Sequence, residues 1–476
     1  MSLFSDTLSE YIKSKKLKIY QLANLSGIDR TLIQKMISGT RKPTNRAQVL
    51  NLCRALSLTH SETENLINSY CILEMGEENW RRYKSIQKLI QSFHIAEPPS
   101  NISLNISDLS LPDLCNIKVI HTSTTINRLL HSILLQESVH PDGFIKMMVQ
   151  PTYFFLLNCL TSINFEHTPI DHFICLESGP EQEIVNLENI QKIVPILLNC
   201  RKYTPYGYYD HINSIFSSSI FLPNIILTSR YMIQISSDLS EAVVTDNVEL
   251  IELCHKYFDV QQTNSWPIFE QLKSFEEYLH FMPSGQSISS SYCIMSHPCV
   301  LSLLSPQILQ RILNISLLSS DTLNMIQSKF QLSSEPSFST FSFFSMEGLK
   351  QFCSSGTFAE VPAPFYSSLN KEEIQYLLKC IISLSEAGIY HPRIFRPNNF
   401  EIPENLCIGT VSRQNSAIVF NHPQKGFLAF DVKNITLSSA IYDFMEYLQK
   451  EETMTYSEEE SLQKIKEFLE DHLYNQ

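Results

Sequence analysis

Between residues 19 and 43 the chain reads IYQLANLSGIDRTLIQKMISGTRKP, and the punctuation of that stretch leaves few folds open. Ile19, Leu22 and Ala23 space one face of a short helix that stops at Ser26 and Gly27, because glycine tolerates the left-handed backbone a sharp turn needs. Asp29 follows as an N-cap, with a carboxylate able to accept a first-turn N–H. Leu32, Ile33, Met36 and Ile37 then recur at helical spacing, Gly39 closes this helix, and Pro43 lies just beyond. Two such short helices bury their apolar sides only against further ones, and the flanks supply them. Leu3, Leu8 and Ile12 space a helix upstream, while Val49, Leu50, Cys53 and Leu56 space one downstream. Thr59 and Glu62 stand at capping-box spacing and predict a helix from about His60 to about Tyr70. GEENWRRYKSIQKLIQSF reads as a longer basic helix striped by Trp80, Tyr83, Ile86 and Ile90, connecting this module to the rest over 73–95.

The charge is distributed unevenly. Residues 1–58 carry ten Lys and Arg against three Asp and Glu, a net +7, which leaves −20 for the remainder of a 476-residue chain whose formal charge is −13. A compact basic module joined to an acidic body points to a polyanionic partner for the module alone.

Residues 3 to 58 resemble the XRE, or lambda repressor/Cro-like, helix-turn-helix family. The match rests on Leu22-Ala23, Gly27-Ile28, Asp29, Ile33, and Ser38-Gly39 followed by Arg41 and Pro43, about an eighth of the chain. It implies a DNA-binding domain over 1–72 whose third helix opens into the major groove. Independently of the family, Arg30, Thr31, Gln34 and Lys35 are left pointing outward, and these residue types suit base edges: Arg or Lys for guanine, Gln for adenine, Thr for a thymine methyl. The resemblance also makes Thr40, Arg41, Lys42 and Asn45 phosphate candidates, flanked by Lys18 and Gln21. One departure stands out: the family commonly has Gln where this chain has Ile19, leaving Tyr20 or Gln21 to compensate.

Residues 96–113, AEPPSNISLNISDLSLPD, read as a linker, and 114–476 as a large α/β or α+β domain. Strands are expected at 144–150, 171–177, 225–236 and 242–246, and helices at 125–137, 188–199 and 247–258. Residues 226–258 read as strand, turn, strand, helix, and 406–448 read the same way with one extra strand. Two similar halves, 114–270 and 271–476, are therefore one expectation, and a single unrepeated body is the other. Between the two echoes QLSSEPSFSTFSFFS carries too much Phe for a plain linker.

Glycine is scarce, 12 in 476, and neither GxGxxG nor GxxxxGK[ST] occurs, so no nucleotide cofactor is expected. A two-halved body of this kind is similar to phospholipase D-like domains, whose chemistry needs His-x-Lys pairs. None of the 14 His has Lys two residues on, so that resemblance implies a non-catalytic version used for ligand sensing or dimerisation. CIMSHPC brings Cys293, His297 and Cys299 together without the second pair a zinc site needs, and reads as buried thiols. YTPYGYYD reads as a packed strand edge rather than a ligand-stacking loop. The acidic C-terminal helix turns Ile465, Phe468 and Leu469 inward.

The 12 Cys form no CxxC pair, no apolar run approaches a membrane span, and the first residues lack the order of a secretion signal. A reduced, cytoplasmic protein with no membrane partner is expected. The reading that joins these features is a non-enzymatic, sequence-specific transcriptional regulator. It binds double-stranded DNA as a homodimer, and its body senses a small-molecule or peptide effector. A DNA- or RNA-targeted enzyme with a nuclease-like body, or a peptide-responsive regulator, are the alternatives.

Overall fold

The computed structural model describes residues 2–94, 117–179, 182–215, 221–282, 290–330, 339–397, 400–422, 426–451 and 454–471. The linker expected over 96–113, Cys115, and residues 331–338 of the Ser/Phe-rich segment lie outside them. The chain divides into two compact units, Met1–Ser85 and Ile86–Gln476.

The first unit contains α1 (Leu3–Ser14), α2 (Ile19–Ser26), α3 (Arg30–Ile37), α4 (Arg46–Ala55) and α5 (His60–Met75), with no strand among its described residues. The division into units falls inside α6 (Glu77–Gln91). Leu8, Leu22, Ile33, Met36, Val49, Leu52 and Leu66 meet in one core. Leu3 is not part of it: it is 54% exposed, and Phe4 takes the inward position one residue later. The Thr59–Glu62 capping box forms, with Glu62 N–H donating to Thr59 Oγ1 and Thr59 N–H to Glu62 Oε2. α5 runs five residues past the expected end at Tyr70, because the chain offers no break before Gly76.

The second unit contains two mixed sheets. The first is built from β1 (Ile117–His121), β2 (Ile145–Met148), β3 (Ile170–Leu176), β4 (Tyr203–Tyr209), β5 (Asn224–Thr228), β6 (Met232–Ile235), β7 (Glu241–Thr245) and β8 (Trp266–Pro267). The second is built from β9 (Phe269–Leu272), β10 (Ser290–Met295), β11 (Ser339–Ser345), β12 (Tyr390–Phe395), β13 (Leu406–Ser412), β14 (Asn415–His422) and β15 (Gly426–Val432). The helices are α7 (Ser123–Ser138), α8 (Phe154–Ser162), α9 (Glu183–Asn199), α10 (Ile212–Ile215), α11 (Val248–Thr263), α12 (Phe275–Phe281), α13 (Pro306–Ile312), α14 (Ser320–Phe330), α15 (Met346–Ser355), α16 (Lys371–Glu386), α17 (Ile435–Lys450) and α18 (Glu458–Leu469).

Seven strands of the first sheet share one topology with the second, and β8, beyond β4, is the addition. Strand order is β1, β7, β6, β5, β2, β3, β4, β8 in the first and β9, β15, β14, β13, β10, β11, β12 in the second. β2, β3 and β4 run parallel, as do β10, β11 and β12, and a helix-bearing crossover joins each successive parallel pair. The β5–β6–β7 and β13–β14–β15 meanders are antiparallel.

Registers agree as well as order. From Pro205 the ladder partners run His172, Met147, Ile226, Ile233 and Val244. From Pro392 they run Ser342, Cys293, Gly409, Ala417 and Asp431. Three residues past Val244, Asn247 caps α11 by accepting the Leu250 N–H at 3.1 Å. Three past Asp431, Asn434 caps α17 by accepting the Leu437 N–H at 2.8 Å. Ile268 hands the chain from one sheet to the other: its N–H donates to the Pro205 carbonyl at 2.7 Å and its carbonyl accepts the Lys433 N–H at 3.1 Å.

Three expectations need correction. Residues 225–236 are not one strand but the β5–β6 hairpin, turned where Thr228 N–H donates to the Tyr231 carbonyl. Residues 226–258 therefore hold three strands and a helix, the same count as 406–448; Asp238, accepting from Ser236 Oγ and Ser240 N–H, tightens the turn before β7. The junction of the halves lies at Ile268, since a cut at 270 would split β9.

Candidate nucleic-acid interface

α3 begins where Asp29 Oδ1 accepts the N–H groups of Thr31 (2.8 Å) and Leu32 (3.3 Å). Those two donors hold the Asp29 carboxyl below its ordinary range, the Thr31 N–H contributing most. α2 ends at Gly27, with φ +69°, and Ile28 tucks into the core, so α2 and α3 are joined by three residues. Ile33 and Met36 are fully buried and fix the rotation of α3 about its axis. That rotation leaves Arg30, Thr31, Gln34 and Lys35 exposed together.

The other six sequence candidates, Lys18, Gln21, Thr40, Arg41, Lys42 and Asn45, are exposed too, but several already have internal tasks. Gln21 Oε1 accepts the Lys18 N–H at 3.1 Å, which makes it a cap for α2 first. Asn45 Oδ1 accepts the Gln48 N–H at 3.0 Å and caps α4. Lys42 Nζ lies 3.0 Å from Glu74 Oε1, a partner from the far end of α5 that local spacing did not reveal. Thr40 and Arg41 both donate their backbone N–H to the Lys35 carbonyl, at 3.0 and 3.2 Å, folding the segment after α3 back against its end. The exposed Arg41 side chain follows from that fold. Tyr20, one of the two residues expected to compensate for Ile19, is 51% exposed on α2.

Elsewhere, the described cysteines are free thiols, and no group of three or more His, Cys, Asp or Glu among the described residues is placed to hold a metal ion. Cys293 and Cys407 do approach, Sγ to Sγ 3.6 Å, across β10 and β13. Burial raises the thiols of Cys159, Cys175 and Cys353 to about 12, which makes them poor nucleophiles. In YTPYGYYD, Tyr203 and Tyr208 are buried within β4, and of its tyrosines only Tyr209 is exposed, its ring 5.2 Å from Trp266. No described helix is long and apolar enough to cross a membrane.

No protein-family model and no curated protein matches the chain. Solved structures with some likeness include a polyphosphate kinase from Porphyromonas gingivalis, at 10% identity and TM-score 0.22, covering 70% of this chain and 50% of that one. They also include TrmBL2, an archaeal chromatin protein described as showing a novel mode of DNA binding, at 10% identity and TM-score 0.21, covering 55% and 98%. A phosphatidylserine synthase from Haemophilus influenzae Rd KW20 matches at 8% identity and TM-score 0.22, covering 75% and 93%. The chain spans half the length of the polyphosphate kinase, and at these TM-scores the likenesses carry no argument about fold or activity.

Proposed function

We propose that this chain is a sequence-specific transcriptional regulator: the N-terminal unit binds double-stranded DNA through α3, and the larger unit senses a signal or joins two copies. One observation carries the reading. Arg30, Thr31, Gln34 and Lys35 are exposed on a single helix face whose reverse, Ile33 and Met36, is locked in the core. The net +7 of residues 1–58 supports it, as does the resemblance of that segment to lambda repressor-like helix-turn-helix modules. In that arrangement Arg30 and Lys35 meet guanine acceptors, Gln34 an adenine edge, and Thr31 a thymine methyl. Arg41, Lys42 and Lys18 meet phosphates and set register without reading sequence. A single such module offers too little surface for high selectivity, so a homodimer on half-sites about 34–36 Å apart is expected.

The test is selection of bound duplexes from a random pool with the full chain, followed by anisotropy titrations of the selected duplex against a scrambled one. Arg30→Ala combined with Gln34→Ala should erase the preference while the circular dichroism spectrum stays the same. A double variant that keeps the wild-type preference overturns the reading.

A further inference from the structure

The repeated topology of the larger unit allows its two cores to be compared position by position, and around the central strands of one face they differ in a single direction. On one face of the first sheet stand Ile145, Met147, Ile170, Ile226, Ile233 and Ile235, all fully buried. The register assigns their counterparts in the second sheet as Ser291, Cys293, Thr340, Gly409, Ala417 and Val419. Every one is smaller. Partners along a ladder share a face, and so do residues two apart on a strand, so the six truncations open onto one space. That space is a cavity of about 140 Å³, lined by these six residues and roofed in part by Tyr278, Phe281 and Glu360. It approaches the roughly 150 Å³ of an engineered apolar cavity known to hold benzene.

Glu360 makes this more than a packing fault. It is 2% exposed, lines the cavity, and neither carboxylate oxygen has a donor in good hydrogen-bonding geometry, although the backbone N–H groups of Ala359 and Glu360 lie close enough to favour its charged form in part. The His297 side chain beside it gives no donor. His297 Nδ1–H donates to the Pro298 carbonyl at 2.9 Å, and His297 Nε2 accepts the Ala359 N–H at 3.0 Å. That pattern assigns the imidazole proton to Nδ1, so Nε2, 3.7 Å from Glu360 Oε2, meets the carboxylate with a lone pair. Lys329 also lines the cavity, but its ammonium donates to the Met282 carbonyl. The first half, by contrast, supplies its own buried glutamate: Glu137 Oε1 accepts the N–H groups of Phe144 (3.0 Å) and Ser229 (2.7 Å). A buried acceptor left without a donor is costly, and for a carboxyl group more so, which is why burial pushes Glu360 up from its ordinary value.

We propose that this cavity binds a small organic cation, a primary ammonium on an aromatic or branched aliphatic body no larger than indole, with the ammonium donating to Glu360 and the body on the floor of truncated side chains. A charge-assisted bond to a buried carboxylate is the strong kind, and Tyr278 adds an aromatic wall suited to a cation. The site would serve as the effector site of the regulator proposed above. Its occupancy, however, does not depend on DNA binding, and it is tested without DNA.

The experiment is calorimetric titration of the full chain under reducing conditions with 2-phenylethylamine, 2-phenylethanol and 3-phenylpropionate. The amine is expected to bind with sub-millimolar Kd, at least ten-fold tighter than the alcohol, and the carboxylate more weakly than either. Glu360→Gln should bring the amine down to the affinity of the alcohol. Ala417→Ile, which restores the side chain of the first half, should abolish binding of both while the thermal transition is retained. Equal affinity for amine and alcohol, an unchanged amine affinity in Glu360→Gln, or no binding by the folded wild type each overturns the proposal. A parallel titration of the selected DNA duplex with and without amine separates the two readings: bound amine with unchanged DNA affinity removes the effector role and leaves the cavity site standing.

Discussion

Ile233 and Ala417 occupy the same position in two sheets of one topology, each paired across the ladder with the residue facing the parallel strands, Ile226 in one half and Gly409 in the other. The first sheet is filled at that place and the second is hollow. Substitutions at the two positions should therefore act in opposite directions. Ile233→Ala removes fully buried methyl groups from a filled core and should cost ~2–5 kcal/mol of body stability. Ala417→Val fills empty space and should be neutral or stabilise by ~0.5–2 kcal/mol. The chain holds only two Trp, Trp80 in the first unit and Trp266 in the second, so a Trp80→Phe background leaves Trp266 as a probe of the body during urea unfolding. A destabilising Ala417→Val of similar size to Ile233→Ala would show that the second half has no such space.

Two glycines should respond to alanine for different reasons. A Cβ on Gly27 meets nothing within 4 Å, so Gly27→Ala is opposed only by the left-handed backbone at φ +69°, about 1–2 kcal/mol. A Cβ on Gly348 would lie 1.8 Å from the Ser296 carbonyl oxygen, where α15 starts against the end of β10, and backbone must move to admit it. Gly348→Ala should cost ~3 kcal/mol or more, at or above the usual range for overpacking. The first variant is read through Trp80 with Trp266 replaced by Phe, the second through Trp266. The contrast fails if the Gly348 variant unfolds at the wild-type urea midpoint.

The parts of this molecule that could be read from sequence are those whose causes lie within a few residues. Asp29, Gly27 and the Thr59–Glu62 pair act on backbone groups no more than four residues away, and each does in the structure what its spacing implies. The capping roles of Gln21 and Asn45 are not legible in the same way, because whether an exposed amide oxygen is spent on a cap depends on local backbone geometry that residue type leaves open. The repeat of the larger unit was legible only as a hint. Its clearest marks, Tyr203-x-Pro205 against Tyr390-x-Pro392 and Asn247 against Asn434, recur at one spacing of 187 residues but are too short to stand out alone. Strand order and register are long-range, so the correspondence of Ile226 with Gly409 appears only once the ladders are aligned. Glu360 was invisible for the same reason: in TFAEVPAPF a lone glutamate reads equally well as a loop residue, and only the tertiary fold buries it.

His172 should make the body sensitive to mild acid. Its ring is fully buried, Nδ1 accepts from Tyr203 Oη at 2.8 Å, and Nε2–H donates to the Val149 carbonyl at 2.8 Å. Burial pushes its pKa down to about 4, against an ordinary value of 6.5. A folded-state pKa below the unfolded one means that the unfolded chain binds the proton more readily. The neutral ring thus costs nothing above pH 6.5, and stability is lost as pH falls from 6.5 toward 4, by about 3 kcal/mol over the window. Urea unfolding followed through Trp266 between pH 7 and 4.5 checks this. His172→Gln should be less stable at pH 7 yet show a shallower loss toward acid, and equal slopes in variant and wild type would contradict the assignment.

If α3 reads bases while the segment after it holds phosphates, Arg30 and Arg41 should fail in distinguishable ways even though both are exposed cations of the same unit. Arg41 follows a chain segment folded back on the Lys35 carbonyl, a placement suited to the sugar-phosphate backbone that every duplex presents alike. Arg41→Ala should weaken the selected and scrambled duplexes by similar factors and reduce the slope of log affinity against log salt by about one. Arg30 sits at the first turn of the helix whose face carries Thr31, Gln34 and Lys35, so Arg30→Ala should weaken the selected duplex roughly ten-fold or more and the scrambled one far less. Anisotropy titrations at several potassium chloride concentrations separate the two signatures. Were Arg30→Ala to lower both affinities equally, α3 would be acting as an electrostatic surface and the sequence-reading role would have to be assigned elsewhere.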